Sequence, residues 1–544
     1  MRIRQAGPAA WYLEVASAPS PATSLEIGAL QRALLASAPS GVRDVVPGYT
    51  NLLVEFRPGV GRRRLERWIA SAEARVEATG PGAPPARHRV PVRYGEGADV
   101  AALEARLGLP WERIVALHSG AAYSVAFLGF TPGFPYLLGL PPELVTPRRD
   151  TPLARVSPGS VAIAGEHAGI YPSASPGGWW ILGRTEETLF DANAWPPTGW
   201  AAGDEVRFVP ADREVQDPRD GRSPDGTPGA GTRPGAPPPA DAPERDRHAP
   251  LGEPAAPPVV DVLEAWVPSA SVQAGPRWRV GHYGMAQAGA LDPVALELAN
   301  QAAGNAGATP ALEALRLPLR LRARRPLTAA LAGGGHHARL DGEPLRLPGP
   351  FAWPGGAELE LVPGGRARGA ATYLALAGGI AAQRYAGSAS TDARSRIGGS
   401  RRPLRSGDVL GLGSAPPGRA ALDLTRPALH PRYPGVIELR IHPGPQYDAD
   451  VFASLTGTTF RVAGFDRTGV RLEGPAVAQA APDVRSEGTP WGAVQLPADG
   501  RPIVLLADRG RTGGYAKPAV VDVRDLWRLA QAPEGTQVWL VARP

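Results

Sequence analysis

Cysteine is absent from this chain of 544 residues, and lysine occurs once. The first absence excludes disulfides, thiol nucleophiles and cysteine-ligated zinc, though in a chain rich in arginine, alanine and proline it says little about compartment. The second is more pointed: Lys517 stands alone among 58 basic residues, all the others being arginine. No uninterrupted apolar run approaches the roughly 20 residues of a membrane-spanning helix. The opening MRIRQAGPAAWYLEV has no apolar signal region, so a cytoplasmic protein without a membrane partner is expected. At a net charge of +6 a dense basic stripe with interleaved aromatics is also missing, which argues against nucleic-acid binding. Arg62, Arg63 and Arg64 open an amphipathic helical pattern with Leu65, Trp68 and Ile69 on its apolar face, a solvated charge run.

Glycine and proline are abundant, 67 and 62 residues, set among short alternating apolar segments. With 43% hydrophobic and 20% charged residues, the composition favours a mainly β, turn-rich fold with α+β parts and ample core. Residues 1–82 read as a small N-terminal α/β domain with strands near 11–15, 42–46 and 52–56 and helices at 25–35 and 62–78. Nothing in it looks chemical, and Tyr49 and Asn51 read as turn residues with a structural role. Residues 83–210 begin with a strand (89–94) and two helices (99–107 and 111–118). A dense series of strands and Gly/Pro turns follows, fit either for tight barrel corners or for lining a shallow cleft. Residues 211–258, without one aromatic, read as a Pro/Gly-rich flexible linker. In residues 259–544 the alternation from Leu315 to Leu321 predicts a strand that Pro318 places at a sheet edge, and residues 523–530 a helix. Asp292 and Pro293 predict a capped helix, and capping alone would account for Asp292. His336 and His337, adjacent on a strand, point to opposite faces and do not make a two-histidine metal site.

Lys517 lies in the stretch IVLLADRGRTGGYAKP, Ile503 to Pro518. Where arginine is otherwise accepted, a retained lysine marks a place for a compact, rotatable ammonium whose pKa burial can lower. The apolar run reads as a buried strand closed by Asp508, and Gly510, Gly513 and Gly514 then predict a loop whose backbone N–H groups approach a ligand. No GxxxxGK[ST] occurs, so this is not a Walker loop. The alternative is a chance survivor on a turn between two strands.

The run GFTPGFPYLLGLP, with TPRRDTPLARVSPGSVAIAG, GIYP, SPGGWWILGRT and LFD, resembles the KipI-like family, also called allophanate-hydrolase subunit one or the 5-oxoprolinase B subunit. The second half, with GALDPVALELANQAAGN, YLALAGGI, GFDRTGVRLEG and SEGTPWGAVQLPADGRPIVLLADRGRTGGYAKPA, is similar to the companion KipA-like family, subunit two or the 5-oxoprolinase C subunit. The chain looks like a fusion of the two, within the wider urea amidolyase family. The resemblance implies cyclophilin-like β-barrels in both halves, two barrel lobes in residues 259–544, and a composite site where the halves meet. It also implies ATP-dependent opening of the lactam of 5-oxo-L-proline to L-glutamate, shared with the LamB/YcsF-type A subunit of 5-oxoprolinase, and leaves a homo-oligomer open. Ala274 stands where the family usually has an acid, Ala288 where it has serine, and Glu166-His167 where it has Gly and Gln.

Lactam opening by ATP proceeds through phosphorylation of the amide oxygen, which requires cations and backbone donors around phosphate, with Mg²⁺. Candidates in the second half are Lys517, Arg509, Arg511, Thr512, Gly513, Gly514 and Tyr515, with Glu487 and Asp292 beside them. In the first half they are Gly133, Phe134, Arg148, Ser175, Gly177, Gly178 and Arg184. Asp508 or Asp466 is expected to hold Mg²⁺ or take a proton, and His118 to act as acid or base. The plainer readings are Asp508 as a turn former, Asp466 as partner of Arg467, and His118 as a helix C-terminal cation. Two other functions fit the resemblance. One is a biotin-dependent carboxyltransferase of the urea carboxylase type, with biotin on another chain because the only lysine lies in GGYAKP. The other is a KipI-like binder of a histidine kinase through the Gly/Pro/aromatic surface of residues 127–137.

Overall fold

The computed structural model describes residues 1–80, 84–211, 256–266, 270–315, 318–334, 336–345, 349–363, 369–416, 418, 435–479 and 483–543; nearly all of the expected linker lies outside them. The N-terminal domain is an antiparallel sheet of Arg2–Gln5, Ala10–Glu14, Asn51–Phe56 and Val42–Pro47, in that order, with helices Pro21–Ala36 and Arg62–Thr79 on one face. The first helix starts where Ser20 Oγ accepts the Thr23 N–H at 3.0 Å and Pro21 supplies a fixed φ. Side chains alternate across a strand, so Leu52, Val54 and Phe56 face the helices while Asn51, Leu53 and Glu55 face the other way. That second face is also buried: Tyr12, Val46 and Leu53 pack against Val520 of the chain's second half.

Residues from Arg87 form a closed seven-strand barrel in the order His167–Ile170, Pro135–Leu138, Tyr123–Leu128, Glu205–Pro210, Arg87–Tyr94, Trp180–Arg184 and Ser160–Ala164. It closes through a parallel pairing of its first and last strands in sequence, Arg87–Tyr94 and Glu205–Pro210. The second half ends in a ring of the same plan. Val436–Pro443 pairs parallel with Gln537–Ala542, the order continues through Thr459–Phe465, Gly469–Glu473, Ile503–Leu505, Ala493–Leu496 and Thr512–Val521, and the last of these pairs back to Val436–Pro443. Asp483–Gly488 hangs from Thr512–Val521 as an extra strand. A barrel is therefore present in each half, as the resemblance implies.

The lobe between them is not a second ring. A six-strand sheet that includes Pro258–Ala265, Leu319–Ala323 and Glu358–Pro363 faces a five-strand sheet that includes Ala311–Ala314, Leu327–Gly333 and Thr372–Leu376, around a core with Val262, Leu321, Leu331, Trp353 and Leu374. Leu319–Ala323 is paired on both sides, so it is not at an edge; Pro318 precedes the first paired residue and takes no N–H from the ladder. The helix expected over 523–530 is shorter, Leu526–Ala530, and Ala449–Gly457 is a helix that the periodicity did not suggest.

Candidate functional site

Lys517 is not on a loop. Thr512–Val521 is one ten-residue strand, and its glycines are extended: Gly513 sits opposite Glu487 and Thr512 opposite Gly488 in the ladder with Asp483–Gly488. The special conformation comes further along the strand. Ala516 pairs with Leu496 and Ala519 with Val494, so Lys517 and Pro518 together oppose the single residue Gln495. This is a β-bulge, a place where a proline without an N–H does no harm and where the strand can re-aim a side chain. The Lys517 N–H leaves the ladder and donates to Gln446 Oε1 at 3.0 Å.

The re-aimed ammonium is fully buried, 0% exposed. Nζ donates to Tyr515 O at 3.0 Å and lies 3.2 Å from Glu487 Oε1. Burial pulls the lysine pKa down, and the Glu487 carboxylate opposes it. Glu487 also accepts from Gln446 Nε2 at 2.8 Å and from Asn51 Nδ2 at 2.9 Å. Asn51 comes from the N-terminal domain, so the constellation is assembled from both halves of the chain.

Arg509 and Arg511, expected to face phosphate, are each 1% exposed and bound to acids of the N-terminal sheet. Arg509 Nη2 donates to Glu55 Oε1 at 2.7 Å; Arg511 Nη2 donates to Glu55 Oε2 at 2.6 Å and to Asp44 Oδ2 at 3.1 Å. Burial alone would raise the Glu55 carboxyl, but the two guanidiniums outweigh it and bring it down to about 2. Thr512 Oγ1 accepts from the Phe130 N–H at 3.1 Å, fixing the first barrel's GFTPGFPY turn against the strand. Tyr515 is 44% exposed.

Asp508 is held by Arg467, whose Nε and Nη2 reach its two oxygens at 2.8 and 3.0 Å. Arg467 also donates to Glu313 and to Gly289 O, and Glu313 accepts from Tyr373 Oη at 2.7 Å. Burial opposes the Arg467 charge, yet Asp508 and Glu313 hold it above the ordinary arginine value. The partner of Arg467 is thus Asp508 and not Asp466, because Asp466 turns its Oδ1 to the N–H groups of Thr468 and Gly469 at 2.7 and 3.0 Å. Asp292 is the helix cap, accepting from Ala295 N–H at 2.9 Å, and its second oxygen accepts from Gln531 Nε2 at 2.9 Å. Burial raises its carboxyl to about 6.

His118 is in the first barrel's core, 0% exposed, with Nδ1 2.7 Å from Tyr94 Oη and its ring stacked on Phe208. Burial lowers it to about 3, so it is neutral near pH 7 and carries no helix-end charge. Gly133 has φ 78° and donates to Tyr283 O of the second half at 2.9 Å. Phe134 is buried among Tyr136, Tyr171 and Trp179. Ser175 and Gly177 belong to a ribbon with Leu153–Val156, not to an open turn; a Cβ on Gly177 would meet Tyr171 Oη at 2.3 Å. The Gly178 carbonyl accepts from Arg149 N–H at 2.9 Å. Arg148 is exposed, and Arg184 lies 3.7 Å from Glu96. These first-half residues are not gathered around Lys517.

Asn51, Asp44, Glu55 and Gln446 are the residues that sequence reasoning passed over. The readable signal was an acid at an inward phase of a strand otherwise apolar on both faces, Glu55 in NLLVEF and Asp44 in VRDVVP. Beside this junction, Pro132 of the first barrel, Gly284, Asp392, Arg394, Thr468, Asp508 and Arg509 enclose a cavity of about 160 Å³. Lys517 lies outside its wall.

Carboxyltransferase-domain families match both halves: subdomains C and D over residues 1–200, and subdomains A and B over residues 283–542. The 5-oxoprolinase B subunit of Escherichia coli O157:H7 is 43% identical over 177 residues, covering 31% of this chain and 78% of that protein. The 5-oxoprolinase C subunit of Escherichia coli K12 is 32% identical over 277 residues, 50% of this chain and 87% of that protein. Urea amidolyase of Lachancea kluyveri is 28% identical over 48% of this chain, which spans only 16% of that protein. The crystal structure of TTHA0988 superposes with a TM-score of 0.81 at 38% identity, covering 99% of this chain and 100% of that one. No helix among the described residues is long and apolar enough to cross a membrane.

Proposed function

The chain belongs to the carboxyltransferase-domain family, its first half akin to the B subunit of 5-oxoprolinase and its second to the C subunit, and on that premise we propose that it is the fused B and C component of a 5-oxoprolinase. With a separate LamB/YcsF-type subunit it would open 5-oxo-L-proline to L-glutamate at the expense of ATP in the cytoplasm. What supports this most is the junction itself. Asn51 of the B-like half completes the hydrogen bonding of Glu487, which pairs with Lys517 of the C-like half. One buried constellation needs both sequences, as expected of two subunits that serve a single enzyme.

The residues expected to cradle ATP do not fit it. Arg509 and Arg511 are engaged by Glu55 and Asp44, Asp508 by Arg467, and Gly513 and Thr512 by the ladder. Among the described residues no cluster of three acids or histidines could hold a metal ion. We therefore assign nucleotide handling to the LamB/YcsF-type subunit and route no step of it through this strand. The C-like half positions groups for the lactam acid: Arg467 fixes the Asp508 carboxylate at the cavity wall, and Lys517 fixes Glu487 at the junction.

The second reading, a carboxyltransferase acting on biotin carried elsewhere, is favoured by the urea amidolyase relative. Lys517, buried and ion-paired, is unsuited to carry biotin itself. One experiment separates the two. The purified chain is mixed with the LamB/YcsF-type subunit, ATP and 5-oxo-L-proline, and glutamate is measured; in parallel it is mixed with carboxybiotin and urea. Glutamate that depends on both components supports the proposal, and urea carboxylation without glutamate overturns it.

A further inference from the structure

The cavity between the halves has a lopsided hydrogen-bonding inventory. Its two acids are already satisfied by fixed partners. Asp392 Oδ1 accepts from the N–H groups of Arg394 and Ser395 at 3.1 and 3.2 Å, and Oδ2 accepts from Ser395 Oγ at 2.6 Å. Asp508 takes both bonds of the Arg467 fork. The donors are not satisfied. Arg509, in the cavity wall and 1% exposed, has no partner for Nη1. Arg394, also in the wall, reaches only Phe130 O, at 3.4 Å through Nη1. Behind them Arg277, 1% exposed and within electrostatic reach of Asp392 and Asp508, leaves Nε and Nη1 without partners. Buried polar groups are almost always paired, and an unpaired one costs on the order of 1–3 kcal/mol. A place with surplus cationic donors and no surplus acceptors calls for a ligand that brings acceptors and negative charge.

Size narrows the choice. About 160 Å³ is well below the roughly 300–1,000 Å³ of sites for drug-sized ligands, so a nucleotide is too large. At ~30 Å³ per water it holds about five waters, the scale of one small organic acid. Thr468 and Pro132 in the wall give it a mixed polar and apolar lining.

We propose that the cavity walled by Pro132, Asp392, Arg394, Thr468, Asp508 and Arg509 binds the carboxylate of a small organic acid, with Arg509 and Arg394 as its cationic anchors. The proposal rests on the lactam-acid reading only for the identity of that acid. Under that reading the ligand is 5-oxo-L-proline on the way in and L-glutamate on the way out, both of which carry the carboxylate that the site selects. Because Pro132 belongs to the first barrel and the remaining wall to the second half, the site exists only when the two are docked.

The test is calorimetric titration of the whole chain with 5-oxo-L-proline, L-glutamate and 2-pyrrolidinone, the same lactam ring without a carboxylate. Saturable binding of an acid is expected, with none for 2-pyrrolidinone. Arg509→Gln can fail to fold because Arg509 also holds Glu55, so the deciding variant is Arg394→Gln, whose side chain is largely solvated. Loss of a charge-assisted bond predicts an affinity for the acid weakened about tenfold or more. Equal binding of the neutral ring, or an unchanged Kd in Arg394→Gln, overturns the site. The two proposals fail separately. Turnover with the LamB/YcsF-type subunit whose KM ignores Arg394→Gln removes the site and leaves the function, whereas acid binding that weakens in Arg394→Gln without any turnover keeps the site and removes the function.

Discussion

At the scale of single residues the decisive fact is that a lysine and a glutamate share a dry place. Lys517 is 0% exposed and Glu487 5% exposed, so removing one partner strands a charge. Lys517→Met is expected to destabilise the chain by roughly 3–5 kcal/mol in urea unfolding, with Lys517→Met/Glu487→Gln recovering most of the loss. Equal stability of the single and double variants would show that the pair carries no such weight. Lys517→Arg also fails, since a planar fork does not fit where a compact ammonium donates to Tyr515 O. Glu55 gives a pH signature. Its folded value, about 2, is depressed from 4.5, so its contribution is fully present above pH 4.5 and is lost as pH falls towards 2. That contribution is roughly 3 kcal/mol at neutral pH. Acid titration of the melting temperature should therefore show a decline across pH 4.5 to 2 that flattens in Glu55→Gln. Glu55→Gln should itself melt lower at pH 7, because Arg509 and Arg511 then lose their shared carboxylate.

At the scale of elements the first barrel meets the second through a crossing with no room. A Cβ on Gly129 would lie 2.0 Å from Thr512 Oγ1 and 3.0 Å from Thr512 Cβ. Gly129→Ala is expected to force the GFTPGFPY turn off the strand at a cost of about 1–3 kcal/mol, read as a lower melting temperature. A wild-type melt would mean that the crossing is soft. The sequence revealed most individual strands and helices, since alternation and capping are local: Pro21–Ala36, Arg62–Thr79 and the Asp292-capped helix all fall close to where the pattern puts them. It misread Thr512–Val521, because glycines and a proline signal a loop unless the three neighbouring strands that hold them are known. It also missed Asn51 and Glu55, because their partners Glu487 and Arg509 are 436 and 454 residues away along the chain. A local reading registers a charge in an apolar strand but not the guanidinium that answers it.

At the scale of the whole molecule, the chain places in one polypeptide what its relatives carry as separate B and C subunits. The described contacts between the halves do not involve residues 212–255: the Glu55–Arg509 and Asp44–Arg511 pairs, the Phe130–Thr512 bond and the Gly133–Tyr283 bond all lie outside that segment. Cutting the chain within residues 212–255 should therefore leave two pieces that still elute as one complex at micromolar concentration. What the covalent link adds is effective concentration, on the order of millimolar for a flexible tether. It follows that the cut and intact proteins should have equal specific activity when concentrated. On dilution the cut protein loses activity as its halves part, while the intact chain holds its value until it separates from the LamB/YcsF-type subunit. Addition of Glu55→Gln should shift the cut protein's loss to higher concentration, since a buried interfacial charge pair broken on one side weakens association. Separate elution of the pieces at micromolar concentration would mean that the buried acids and arginines do not hold the halves together, and the junction would then lose its claim to be a shared site.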